Sequence, residues 1–244
     1  MPVFWLTEEL SFPSPELANE DGILAVGGDL STDRLLLAYS MGLFPWFNPD
    51  DPILWWSPDP RFVLYPDKLK VSKSMRPYFN QKKFTVTFDT HFQEVMTMCQ
   101  QQYRKGQYGG TWISDEMIVS YTQLNKMGFA HSVEVWQDHN IVGGLYGISL
   151  GKIFFGESMF TTVSNASKFG FITLVKKLEE LGYWLIDCQQ RTKHLESLGG
   201  EYIQRREFQK YMDKNKFEKT LRGNWGSMLE NKPKENLTND SGAT

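Results

Sequence analysis

The sequence predicts an α+β fold in which a small loop-rich unit over residues 1–64 precedes a larger unit over 65–228 built on a mixed, mainly antiparallel sheet, with a polar tail over 229–244. Three observations carry this reading. The runs "AHSVEVWQ", "NIVGGLYGIS" and "KIFFGES" are joined by the short turns "DHN" and "LG", which makes an antiparallel meander. Helix-period segments flank that meander on both sides. The apolar run "YWLIDCQ" then reads as a buried strand.

The first clear element is "GGDLSTDRLLLAYSMGLF", a helix capped by Ser31 or Asp29, with Leu35, Leu36, Tyr39 and Leu43 toward a core and Gly42 near its end. Next comes "FPWFNPDDPILWWSPDP", with three tryptophans, two phenylalanines and five prolines. It has too little periodicity for a helix and too many imino acids for a central strand. Prolines fix a backbone at low entropic cost, so the segment is expected to hold aromatic planes rigidly where the two units meet. Such planes suit an apolar side chain or a nucleobase.

From Phe84 the order is a strand, "KFTVTF", two helices, "THFQEVMTMCQQQY" and "SDEMIVSYTQLNKMG", and then the meander. A helix from about Asn165 to Leu181, capped by Asn165 or Ser164 and ended at Gly182, precedes "YWLIDCQ". Strand, two helices, three meandering strands, helix and strand is the order of the GNAT N-acyltransferase fold, whose sheet splays to admit an acyl donor. The tail "ENKPKENLTNDSGAT" is polar and unpatterned, and mobility is expected there.

Composition narrows the function classes. No apolar run reaches the length of a membrane span, and "MPVFWLTEEL" lacks the basic flank and apolar stretch of a secretory signal, so the cytoplasm is expected. Cys99 and Cys188 lie far apart without metal-type spacing, and His91, His131, His139 and His194 share no ligand spacing, so neither a disulfide framework nor a metal site is expected. The net charge of −3 is uneven: residues 1–66 hold ten acidic residues against Arg34 and Arg61. Basic residues gather in "DKLKVSKSMRPYFNQKK", with Lys68, Lys70, Lys73, Arg76, Lys82 and Lys83, and again in "QRREFQKYMDKNKFEKTLR". Each run reads either as a solvated helix face or as a surface for a polyanion.

A coenzyme A site would need spaced glycines at the start of the helix after the meander, so that free amides could cradle a pyrophosphate. The turn reads "TTVSNASKFGF", which disfavours that cofactor. In "YWLIDCQ", alternation puts Asp187 and Gln189 on one strand face and Ile186 and Cys188 on the other. A carboxylate and an amide at a strand end could orient an amine or simply satisfy each other. "FFGESMF" approaches a nucleophile elbow through Gly156 and Ser158, but Phe160 stands in place of the second glycine and the context is a meander strand. Glu157, an acid at a strand end among aromatics, suits a cationic group. Trp46, Trp55, Trp56, Trp112 and Tyr121 read as either core or pocket.

The stretch from "FPSPELANEDGILAVGGDL" to "WWSPDPRFVL", with "GTWIS", "GFAHSVEVW", "GGLYG", "FFGESMF", "NASK" and "LIDCQ", resembles the leucyl/phenylalanyl-tRNA–protein transferases over nearly the whole chain. The resemblance implies transfer of leucine or phenylalanine, and methionine less well, from leucyl-tRNA or phenylalanyl-tRNA to the amino terminus of proteins that begin with arginine or lysine, marking them for degradation. It implies a catalytic pair, Asp187 and Gln189. It implies a substrate site of Trp46, Trp112, Tyr121, Leu145, Phe154 and Glu157, with Glu157 facing the acceptor's basic side chain. It places Lys73 and Arg76 in a basic helix for the tRNA, with Lys82 and Lys83 following. No cofactor or metal is implied, and a monomer is expected. Leu145 stands where the familiar form has methionine, a swap that conserves volume. Thr192, in "CQQRTKH", replaces a familiar asparagine. Two other classes share parts of this pattern: a CoA-dependent N-acyltransferase shares the fold, and a non-catalytic RNA-binding module would use the basic runs but leave Asp187 and Gln189 unexplained.

Overall fold

The computed structural model describes residues 3–49, 51–81, 83–102 and 111–229. Lys82 and the tail beyond Leu229 lie outside the described residues. The amino-terminal segment contributes β1 (Phe4–Leu6), β2 (Ile23–Gly27), α1 (Thr32–Ser40), β3 (Phe44–Pro45) and β4 (Leu54–Trp56). Its four strands form a sheet in the order β1-β2-β4-β3. Helix α1 starts where expected, with Ser31 Oγ accepting the Arg34 N–H at 3.4 Å, and it buries Leu35, Ala38 and Tyr39.

The proline-rich segment is more regular than its composition suggests. Phe44 pairs with Trp56 and Pro45 with Trp55, so the segment closes as a hairpin. The structure accommodates the prolines because β3 is the edge strand of its sheet and needs no outward N–H from Pro45. The indoles divide: Trp55 is fully buried and donates to Gly27 O at 2.9 Å, while Trp56 donates to Trp46 O at 2.6 Å, with the two rings 5.7 Å apart.

The larger sheet takes β5 (Arg61–Leu64), β6 (Thr85–Phe88), β7 (Ala130–Gln137), β8 (Asn140–Leu150), β9 (Ile153–Thr161), β10 (Leu185–Gln189) and β11 (Glu201–Ile203), in the order β11-β5-β10-β9-β8-β7-β6. Pairing is antiparallel except between β9 and β10, so the sheet is mixed and mainly antiparallel. Residues 61–64, which the sequence reading grouped with the small unit, enter this sheet as a strand buried along its whole length. The chain runs from the proline hairpin directly into β5, and no break in composition marks the passage.

Helices α3 (Phe92–Gln101), α4 (Asp115–Lys126), α5 (Ala166–Glu180), α6 (Lys193–Ser197), α7 (Arg205–Asn215) and α8 (Trp225–Leu229) surround the sheet, and α2 (Arg76–Asn80) precedes β6. Alternation along the strands divides the core into two clusters. One gathers Leu35, Tyr39, Phe44, Trp112, Tyr121 and Tyr146 beside α1, α3 and α4; the other gathers Leu145, Phe154, Phe171 and Ile186 beneath α5. Helix α5 sits close because glycines stand on both sides of the contact: a Cβ on Gly170 of α5 would meet Val135 Cγ2 at 2.6 Å, and one on Gly143 of β8 would meet Ala166 Cβ at 2.8 Å. Asn165 does not cap α5 with its side chain. It takes a positive φ of 68° and donates from Nδ2 to Tyr78 Oη at 3.0 Å. The predicted basic helix is a 3-10 turn, Lys73–Met75, followed by the five residues of α2. Lys73, Arg76 and Lys83 are exposed.

Candidate active site

β9 and β10 pair through Leu185↔Ile153, Ile186↔Phe154 and Asp187↔Phe155, and then they part. The cause is local. Gln189 adopts a φ of 61°, the register against β5 shifts between Asp187 and Gln189, and Gln190 N turns back to Cys188 O at 2.6 Å. A non-glycine residue in the left-handed region bends the strand away from its ladder. Between the separated ends lies a cavity of about 440 Å³. Its apolar wall includes Trp112, Leu145, Met159, Phe171 and Ile186, with Phe44, Pro45 and Trp46 from the proline hairpin. Glu157 and Gln189 supply polar groups from the two strands.

Gln189 is fixed at both ends. Its backbone N–H donates to Asp187 Oδ1 at 3.0 Å, and its side-chain Nε2 donates to Glu157 Oε1 at 2.8 Å. Asp187 is fully buried and forms a bidentate pair with Arg61: Nε to Oδ1 at 2.8 Å and Nη2 to Oδ2 at 2.6 Å. Here the structure corrects the simple alternation. The bend turns Gln189 to the cavity together with Ile186 and Cys188, while Asp187 stays fully buried behind the wall and does not line the cavity.

Glu157 is nearly buried, and burial, reinforced by the nearby Asp187 carboxylate, raises its pKa to about 8. Hydrogen bonds from Tyr39 and Gln189 and the charge of Arg61 act in the opposite direction. The carboxyl is thus mostly protonated at neutral pH. Behind it, the Tyr39 and Tyr121 hydroxyls approach to 2.5 Å, and burial together with the Glu157 charge pushes both phenols well above their ordinary range. The Cys188 thiol faces the cavity but is pushed up by burial, which keeps it from acting as a thiolate.

Of the expected substrate residues, Trp46, Trp112, Leu145 and Glu157 meet at the cavity. Tyr121 does not line it: the ring is fully buried behind Glu157, in contact with Tyr39 and Tyr146. Phe154 does not line it either. It belongs to the still-paired part of β9 and packs over Gly147 toward Trp225 in the other core cluster. Sequence reasoning missed Arg61, Tyr39, Met159 and Phe171. For Arg61 there was a signal, since a guanidinium within the apolar run "RFVL" requires a buried counter-charge, and "LIDCQ" offers one.

The family described as leucyl/phenylalanyl-tRNA protein transferase matches residues 63–213, and its N-terminal domain matches residues 28–59. The junction of the two spans falls beside the start of β5. A leucyl/phenylalanyl-tRNA–protein transferase of Flavobacterium johnsoniae is 56% identical over 206 residues, covering 84% of this chain and 97% of the relative. One from Christiangramia forsetii is 55% identical over 212 residues, covering 86% and 100%. One from Syntrophus aciditrophicus is 51% identical over 230 residues, covering 94% and 96%. The family model and the relatives define an aminoacyltransferase. The chain belongs to the leucyl/phenylalanyl-tRNA protein transferase family.

Proposed function

We propose that this protein moves leucine or phenylalanine from the 3′ end of an aminoacyl-tRNA to the free amino terminus of a polypeptide that begins with arginine or lysine, as a cytoplasmic monomer without a cofactor. The observation that carries the reading is Gln189 at the mouth of an apolar slot, its backbone N–H held by Asp187 and its carboxamide by Glu157. An aminoacyl ester is already activated, so the enzyme has to hold a neutral amine against the carbonyl. Because Nε2 of Gln189 is committed to Glu157, its Oε1 is the acceptor that orients the amine N–H. The amine nitrogen attacks the ester carbonyl, the bond to the ribose oxygen breaks, and the amine's proton ends on that oxygen. No covalent enzyme intermediate is needed.

The apolar wall receives the donor side chain, whose full burial contributes about 1.5–3 kcal/mol. Trp46 and its neighbours offer a stiff aromatic rim for the terminal adenine. Glu157 faces the cationic side chain of the acceptor, and an arriving cation favours its ionisation. The parting of β9 and β10 supports a GNAT-like reading of the larger unit, with the donor seated in the splay. Exposed Lys73, Arg76 and Lys83 supply phosphate contacts for the tRNA.

The test is direct. Incubation with leucyl-tRNA and an arginine-led peptide yields a peptide heavier by one leucine residue. Absence of that product, or acetylation of the peptide from acetyl-CoA in its place, refutes the reading. Full turnover by a folded Asp187→Ala variant refutes the role given to Asp187.

A further inference from the structure

We propose that Arg61 is a positioning residue for the transfer reaction, acting on Gln189 through Asp187 and tying the aromatic rim of the cavity to the same strand end; this deepens the function proposed above and rests on it. Arg61 is 1% exposed, and its side-chain hydrogen bonds run to Asp187 and to Gly42 O. Two of its N–H groups grip the Asp187 carboxylate, whose Oδ1 in turn receives the Gln189 backbone N–H at 3.0 Å. That last bond ends on the residue at positive φ, which the Gln190 N–H to Cys188 O bond spans, a conformation that a glutamine does not hold without support. The carboxylate accepts from both the guanidinium and the Gln189 N–H, so its orientation fixes the bend that aims the carboxamide into the cavity.

The remaining contacts run the other way. Arg61 Nη2 also donates to Gly42 O at 3.1 Å, two residues before Phe44. The guanidinium carbon lies over both the Phe44 and the Phe208 rings, 4.7 Å from each centroid. Phe44 lines the cavity and begins the hairpin that carries Trp46. One planar cation therefore sets the distance between the rim that receives the donor and the amide that orients the acceptor. Lysine keeps the charge but has neither the fork nor the plane, so it cannot serve both partners.

The experiment compares wild type, Arg61→Lys, Asp187→Asn and the double variant. Steady-state transfer from leucyl-tRNA to an arginine-led peptide is measured beside amide hydrogen exchange at Gln189, with the Trp184 amide, bonded to Lys152 O at 2.9 Å, as the folded-state control. Arg61→Lys is expected to lower kcat at least tenfold, with each KM within about threefold, and to release protection at Gln189 while Trp184 stays protected. The double variant is expected to be no slower than the slower single variant, because both act along one route. An unchanged Gln189 amide, or losses that multiply in the double variant, overturns the inference. If the wild type transfers no leucine while the Gln189 amide still responds, the function reading fails and the structural link stands. Should Arg61→Lys not fold, Phe208→Leu, which removes one of the two rings against the guanidinium, is expected to shift kcat and Gln189 exchange in the same direction more weakly, and no shift refutes the proposal.

Discussion

Replacing Glu157 by glutamine should change how stability depends on pH, and the structure sets both the sign and the window. The Glu157 pKa rises from an ordinary 4.5 to about 8 in the folded protein, mainly through burial. A group whose folded pKa is raised contributes stability that is fully present below the unfolded pKa and is lost as pH rises through the folded one. The wild type therefore loses roughly 1 kcal/mol per pH unit from this group between about pH 4.5 and 8, or some 3–5 kcal/mol across the window. Glutamine keeps the shape and the acceptor oxygen for Gln189 Nε2 but does not titrate. Urea unfolding of both proteins at several pH values from 5 to 9 gives the difference directly. The stability of Glu157→Gln relative to wild type should climb with pH and level off above 8. Parallel curves would refute the reasoning that a proton resides on this carboxyl in the empty site.

Four further expectations follow from the same geometry. At pH 7 an arginine-led peptide should release up to about one proton on binding, as the cation ionises Glu157, while a peptide led by a neutral residue should release far less; calorimetry in buffers of different ionisation enthalpy reads this. Valine should be transferred at least tenfold less efficiently than leucine in kcat/KM, since a lost methylene in an apolar pocket is worth roughly 1–3 kcal/mol. Leu145→Ala, at a 2% exposed position, should cost roughly 2–5 kcal/mol of stability and tilt the preference toward phenylalanine. Replacing both Lys73 and Arg76 by glutamate should weaken tRNA binding and flatten its dependence on salt by roughly one to two units of log–log slope, read by filter binding at several salt concentrations.

The elements most legible in the sequence were those specified by local pattern. The meander β7–β9 announced itself by alternation and tight turns, and α4 by the helical pattern of "SDEMIVSYTQLNKMG"; in the structure Ser114 Oγ caps it by accepting the Met117 N–H at 3.1 Å. What escaped depended on non-local partners. Nothing in "FPWFNPDDPILWWSPDP" states that its two ends will pair, because the pairing depends on the β2 strand that β4 joins. Alternation could not place Gln189, because it assumes a uniform extended backbone and the positive φ at that residue breaks the period. Phe154 and Tyr121 were drawn into the site by resemblance, but one sits in the still-paired part of β9 and the other behind Glu157. Arg61 was visible only as an anomaly, a cation in an apolar strand whose explanation lies 126 residues away.

The separation of β9 from β10 has a consequence for traffic. Because the opening lies within the sheet, its walls come from both core clusters: Phe44 and Trp112 from the side of α1, α3 and α4, Phe171 and Ile186 from beneath α5. A slot of about 440 Å³ has room for side chains and chain ends, so the bulk of a folded RNA or of a polypeptide stays outside the layer.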